Sequence, residues 1–195
     1  AIVNLRGEPE RLRYEKAQRE HSDRLRDRKQ WERYRARLGN ENTPGFSGFR
    51  AMKRAGSEYF QFMHLDYTRQ IQLLAHPELA LPNAGHATAA EDKFVRYLFN
   101  PANKDGWAKG VVFTSRLGYD ASNWQPFREM LLQNATKYPV TVHRQDEHGT
   151  HYEQLTVLYG NKGKPANVLV SWSHKDGKTH LTNAYLKEVK TDGTD

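Results

Sequence analysis

Cysteine is absent from the 195 residues of this chain. Its absence excludes a disulfide framework and any thiolate zinc site. It leaves the compartment open, because a cysteine-free chain suits the cytosol and equally a protein that crosses an envelope and refolds. Long apolar runs are missing too. Nothing approaches the roughly 20 consecutive apolar residues of a membrane span, and no signal-peptide pattern stands at the start. No membrane partner is expected from a chain of mean hydropathy −0.91. The first residue is Ala, which points to a processed product, a fragment, or a chain short only of its initiator Met. Neither His-x-His nor His-Glu-x-x-His occurs, and no Asp-Gly calcium loop does. Asp146, Glu147, His148 and His151 lie close together, but they straddle a hairpin tip. No metal and no cofactor are therefore expected.

What the chain does have is positive charge, +7 in all, placed unevenly. Residues 1–90 hold 16 Lys and Arg against 11 Asp and Glu, while residues 91–195 hold 14 against 12. A basic N-terminal arm suits nucleic acid, an acidic protein surface or anionic lipid; the plainer alternative is a solvated charged helix. The length fits one or two domains, and a unit of roughly 100 residues folds without staples.

Residues 8–38 predict a charge-rich helix with Pro9 in its first turn, a short apolar stripe at Trp31, Tyr34 and Leu38, and a stop at Gly39-Asn40. So narrow a stripe builds no core, so such a helix packs on a partner or projects into solvent. Ser57 predicts the cap of a second helix with Phe60, Met63, Tyr67, Ile71 and Leu74 at helical spacing, which suits a core or an oligomer contact. Residues 76–88, small and Pro-containing, predict a linker between a helical arm over 1–75 and a domain over 89–195.

In that domain, Thr88-x-x-Glu91 predicts a capping box and a helix to about Phe99, ended by Asn100-Pro101. A helix from about Gly106 ends at Gly118, and Ser122 starts another whose face carries Trp124, Phe127, Leu131, Ala135 and Tyr138. From Pro139 the period changes to two, giving strands near 139–145, 151–159, 167–174 and 179–187 with Gly-containing turns between them. The fold class is thus α+β: a helical arm, then a helical unit packed on a four-stranded antiparallel meander.

A fold of this size can carry a nuclease site. Cleavage of RNA without a metal needs a proton acceptor and a proton donor near neutral pH, so histidines come first. His143 and His151 fall on neighbouring strands that could face one another, His148 sits in a turn, and His174 borders one. His180 stands two residues before Thr182, which puts both on one strand face. For each the plain alternative is a surface or structural histidine. Trp172, on the third strand, is simplest as core.

The ordered set Leu98, Asn100-Pro101, Gly106, Lys109, Phe113, Leu117-Gly118-Tyr119, Asn123-Trp124, Leu131-Leu132, Tyr152, Gly160, Trp172 and Leu181-Thr182-x-Ala184-Tyr185 covers about half the chain. It resembles an uncharacterised domain at the C-termini of bacterial polymorphic toxins and of phage head-morphogenesis (minor head) proteins of the Mu F type. Residues 1–75, through Tyr14-x-x-x-Gln18-Arg19 and Phe49-Arg50-x-Met52-Lys53, resemble the helical region of the same head proteins.

The resemblance implies a toxin-like nuclease related to the ribonucleases that include barnase, colicin and RelE toxins. It raises Lys109, after a glycine-containing turn, as the ammonium for a phosphate gaining charge in the transition state. It also raises Thr182 and Tyr185. Alternation puts those two on opposite faces unless a bulge at Asn183-Ala184 re-aims one. The expected function is metal-independent RNA cleavage by a toxin domain that is virion-associated or delivered into a target-cell cytoplasm. The expected catalytic set is Lys109, His180, Thr182 and His143, with Arg116, Arg144 and Tyr185 against the RNA. An acidic immunity protein would plug the site, and residues 1–75 would meet a phage head or secretion machinery. The competing classes are a non-catalytic structural protein of the virion and a basic DNA-binding module.

Overall fold

The structure is a computed structural model that describes residues 7–189. The remaining residues of the arm and of the domain, 1–6 and 190–195, lie outside the described part. The fold is α+β, with helices first and a four-stranded antiparallel sheet after them. Two compact units divide between Phe60 and Gln61.

The first unit contains α1 (Gly7–Leu38) and α2 (Phe46–Ala55) and ends in the first turn of α3 (Glu58–Ala75). Only Asp27, Tyr34 and Leu38 of α1 are buried, so most of that helix is solvated, as its sparse apolar stripe dictates. What core there is is aromatic: Tyr34 meets Phe49 edge-on at 5.7 Å, and Phe49 meets Phe60 at 5.4 Å. Trp31 donates its indole N–H to Pro44 O at 2.8 Å, which pins the turn after α1. Asp27 is paired with Arg50 Nε at 2.9 Å and Lys53 Nζ at 2.8 Å. Burial works against its ionisation, but the hydrogen bonds from Lys53 and Arg50 outweigh it and lower the Asp27 pKa.

The second unit runs from Gln61. The linker expected over 76–88 is not where the chain divides, and the reason is on α3. Asp66 is 2% exposed and accepts hydrogen bonds from Tyr138 Oη at 2.6 Å, Tyr159 Oη at 2.6 Å and Gln70 Nε2 at 2.9 Å. Arg69 donates to Asn167 Oδ1 at 2.7 Å. These polar bonds tie the body of α3 to the sheet. The expected apolar stripe of α3 is corrected accordingly: Met63, Asp66 and Gln70 are the buried residues, whereas Ile71 and Leu74 are exposed. Burial pushes the Tyr138 phenol well above its usual range, with the Asp66 carboxylate acting in the same direction. Burial also brings the Arg69 guanidinium down to about 10.

Residues 76–88 are part of this unit. Leu81 is 3% exposed, and Thr88 forms a parallel bridge beside the last strand, giving its N–H to Thr179 O at 3.0 Å and accepting from Leu181 N at 2.8 Å. Because its backbone is used this way, Thr88 does not cap a helix. The next helical segment is a π-helical turn, Lys93–Leu98. It is followed by α4 (Lys104–Leu117), which Asn103 caps and Gly118 ends at φ 82°, and by α5 (Trp124–Asn134).

The sheet is the expected meander: β1 (Val140–Asp146), β2 (Gly149–Leu158), β3 (Ala166–Lys175) and β4 (Lys178–Leu186), in the order β1-β2-β3-β4. Its covered face sets Val168, Val170, Trp172, Leu181 and Ala184 in one core with Phe94, Leu98, Phe113, Leu117, Phe127 and Leu131. Burying each such side chain contributes roughly 1.5–3 kcal/mol. Trp172 lies within that core and donates to Gln154 Oε1 at 2.9 Å. The Gln154 amide in turn donates to the carbonyls of Ala135 and Tyr138, so a buried polar group is fully used.

Two strands break alternation. In β1 the register skips His143, and in β4 Ser171 pairs with Asn183 while Trp172 pairs with Leu181, leaving Thr182 extra. The β4 bulge thus stands at Thr182, not at Asn183-Ala184. Leu181 and Ala184 both point to the core across it.

Candidate functional site

The residues singled out in the sequence separate into two cavities on either side of the β4 bulge. His180 and Thr182 line one of about 590 Å³ together with His148, His151, Ser173, Lys175, Asp176 and Lys178. Lys109 and Tyr185 line the other, of about 510 Å³, with Tyr97, Asp105, Ala108, Val112 and Leu186. Lys109 therefore does not share a cavity with His180 and Thr182, and Thr182 does not share one with Tyr185.

The first cavity is built by two hairpin ends. The turn after β1 brings Asp146 back beside β2, and the turn after β3 sets Lys175, the last residue of β3, opposite Lys178, the first of β4. His151 Nε2 lies 2.8 Å from Asp146 Oδ1, and its side chain is 13% exposed. The same carboxylate accepts from the backbone N–H of His148 at 2.8 Å and from Arg144 Nε at 3.2 Å. These groups bring the Asp146 carboxyl down to about 2, the His151 hydrogen bond being the largest cause. An ionised carboxylate only accepts, so in a neutral His151 the proton sits on Nε2 and Nδ1 is left as a proton acceptor.

His180 is exposed at the cavity wall. Thr182 Oγ1 donates to Ser171 O at 3.2 Å, so its hydroxyl proton is directed along the sheet. Lys175 donates to Glu147 O, and Lys178 has no ion pair among the described residues. The cavity is therefore an imidazole-rich pocket edged by ammonium groups.

Three further expected residues stand elsewhere or do other work. His143 is the bulged residue of β1 and pairs with Glu153 Oε1 at 3.3 Å, so it does not face His151, which has its own carboxylate. Arg116 gives Nε and Nη2 to Pro165 O, at 3.0 and 2.6 Å, and lies 5.6 Å over the Phe62 ring; its guanidinium is engaged within the fold. Arg144 does not line the cavity; its exposed side chain pairs with Asp146, Nε to Oδ2 at 3.2 Å.

His151, Asp146, Lys175 and Lys178 were not in the expected site. The first two were visible as neighbours of a hairpin tip, and they read as a weak metal cluster. Among the described residues no three His, Asp or Glu side chains are placed to share a metal ion.

The second cavity is centred on Lys109. Its Nζ donates to Tyr97 Oη at 2.9 Å and to Asn183 Oδ1 at 3.2 Å, and lies 5.2 Å from the Tyr97 ring centre. Two glycines make this possible. A Cβ on Gly106 would stand 2.1 Å from Tyr97 O, and one on Gly110 would stand 1.7 Å from Leu98 O. Backbone therefore lies against backbone where α4 meets the π-helical turn, and no side chain fits between.

Residues 80–188 match the model of a family described as Domain of unknown function (DUF6883). No curated protein and no solved structure matches the chain.

Proposed function

We propose, from the premise that the chain belongs to the family described as Domain of unknown function (DUF6883), that its domain cleaves RNA without a metal ion. One observation carries this reading: His151, oriented by Asp146 at 2.8 Å, lines the same cavity as His180, Thr182 and two lysines. Two imidazoles in one cavity can serve as base and acid, the pair that RNA cleavage without a metal needs near neutral pH.

His151 Nδ1 takes the proton of a ribose 2′-hydroxyl as its oxygen bonds to the adjacent phosphorus. The bond from phosphorus to the 5′-oxygen breaks, and His180, protonated, gives its proton to that leaving oxygen. The products are a 2′,3′-cyclic phosphate and a 5′-hydroxyl. Lys175 and Lys178 stabilise the charge gathered on the phosphorane oxygens, the role first given to Lys109. Thr182 holds the phosphate once its hydroxyl turns from Ser171. His143, paired with Glu153 outside this cavity, has no part in the step.

The resemblance to toxin and phage-head domains supports a toxin reading, in which an acidic immunity protein covers this basic cavity and α1 and α2 serve delivery or docking. The solvated, charged surface of α1 suits such a docking role.

The test uses the full chain, RNA and DNA oligonucleotides, and a chelator. RNA is cut to cyclic-phosphate ends with EDTA present, and DNA is left intact. His151→Ala and His180→Ala each slow cleavage by roughly 10²-fold or more, with a combined loss smaller than the product of the two. Cleavage abolished by EDTA replaces this mechanism with a metal-dependent one. No cleavage of any RNA, tRNA included, moves the protein to the non-catalytic virion class.

A further inference from the structure

The Lys109 cavity is not used by the cleavage chemistry, yet its construction is specific. The ammonium is held by two neutral oxygens, Tyr97 Oη and Asn183 Oδ1, and no described carboxylate forms an ion pair with it. Asp105 lines the same cavity, one helical turn before Lys109, without pairing with it. A second ammonium, Lys93 Nζ, lies 5.9 Å from the centre of the same Tyr97 ring. Tyr97 and Tyr185 bring two phenol rings to the lining. Close approach at Gly106 and Gly110 fixes the whole arrangement against a π-helical turn, a distortion that frequently marks functional sites.

An ammonium without a counter-charge is a place for an anion. Aromatic faces take a planar ring, at about 1–3 kcal/mol per stacked base. A carboxylate beside them is the usual acceptor for ribose hydroxyls. A ligand with all three features is a ribonucleotide. We infer that this cavity is a nucleotide-binding subsite, separate from the cutting pocket, that takes a phosphate on Lys109, a base against Tyr97 or Tyr185, and ribose hydroxyls on Asp105.

The phosphate-and-ring chemistry rests on the cavity alone; the assignment of that nucleotide to an RNA substrate rests on the cleavage reading above. Because β4 contributes Thr182 to one cavity and Tyr185 to the other, one strand would present adjoining nucleotides to both.

The experiment is titration of the full chain with AMP, adenosine, dAMP and inorganic phosphate, followed by calorimetry and by NMR shifts of Val112 and Leu186. AMP is expected to bind at least tenfold more tightly than phosphate or adenosine, and more tightly than dAMP. Lys109→Met is expected to weaken AMP at least tenfold, Tyr185→Leu several-fold, and Asp105→Asn to erase the preference over dAMP. His180→Ala leaves AMP binding unchanged.

The inference is overturned if AMP does not bind at millimolar concentration, if phosphate binds as well as AMP, or if Lys109→Met binds AMP normally while remaining folded. It is also overturned if AMP shifts the His151 and His180 signals but not those of Val112 and Leu186. A chain that binds AMP here but cuts no RNA loses the cleavage reading and keeps this subsite. One that cuts RNA but binds no AMP loses only the subsite.

Discussion

Single residues in this protein do work that their type does not announce. Asp66 is the clearest. It is a buried carboxylate that accepts from Tyr138, Tyr159 and Gln70. Removing an acceptor strands its donors, at about 1–3 kcal/mol for each buried group left unpaired. Asp66→Ala is expected to lower the unfolding free energy by on the order of 3 kcal/mol, read as a lower urea midpoint at an unchanged slope, and Asp66→Asn, which keeps one acceptor, by less. A loss below about 1 kcal/mol would show that solvent reaches these hydroxyls.

Asp146 offers a test by pH. Its carboxyl is held at about 2, below the ordinary 3.8. A depressed carboxyl contributes stability in full above its unfolded pKa, and that contribution is lost as pH falls through the folded value. The window is therefore from about pH 4 down to about pH 2. Titration of the Asp146 carboxyl carbon by NMR should show a midpoint near the lower value, and His151→Ala should raise it, since that hydrogen bond is the largest cause. A wild-type midpoint near 4 would mean that the pair does not form.

Elements meet here through small residues and broken registers. The contact of α4 with the π-helical turn leaves no room for a methyl at Gly106 or Gly110, where the obstructing atoms are backbone carbonyl oxygens. Backbone cannot rotate out of the way as a side-chain tip can. Gly110→Ala should therefore cost at least the roughly 1–3 kcal/mol of ordinary overpacking. It should also part Lys109 from Tyr97, and the nucleotide cavity should be lost along with stability. Thermal unfolding and AMP titration of the same variant check both. If Gly110→Ala keeps wild-type stability, α4 does not approach the turn this closely.

On the scale of the whole molecule, the division at Phe60/Gln61 says where the C-terminal unit can be cut. A fragment of residues 61–195 keeps Asp66 and Arg69 with their partners. A fragment of residues 88–195 strands Tyr138, Tyr159 and Asn167. The longer fragment should melt higher by roughly 10 °C or more, from about 3 kcal/mol at several degrees per kcal/mol. Equal melting temperatures would mean that residues 61–87, α3 included, add nothing to the unit. The family match begins at residue 80, after α3, so this buttress lies outside the matched segment.

The sequence by itself determined the element types of this protein. Period-two alternation and glycine turns gave the four strands in meander order, and the spacing from Trp124 to Tyr138 gave a face that is buried throughout. These signals are local, since each depends on residues within one or two turns of one another. Sequence also placed His180 and Thr182 on one strand face, and they do line one cavity. What it could not reach depends on contacts far apart in the chain. Thr88 reads as a helix cap until β4 claims its backbone, about 90 residues on. The face of α3 reads as apolar until two tyrosines and an asparagine of the sheet unit reward its polar side. Lys109 and His180 read as one site because spacing along a chain carries no information about which cavity each side chain lines. The extra residue at Thr182, which lets Leu181 and Ala184 both face the core, is likewise visible only in the pairing of β4 with β3.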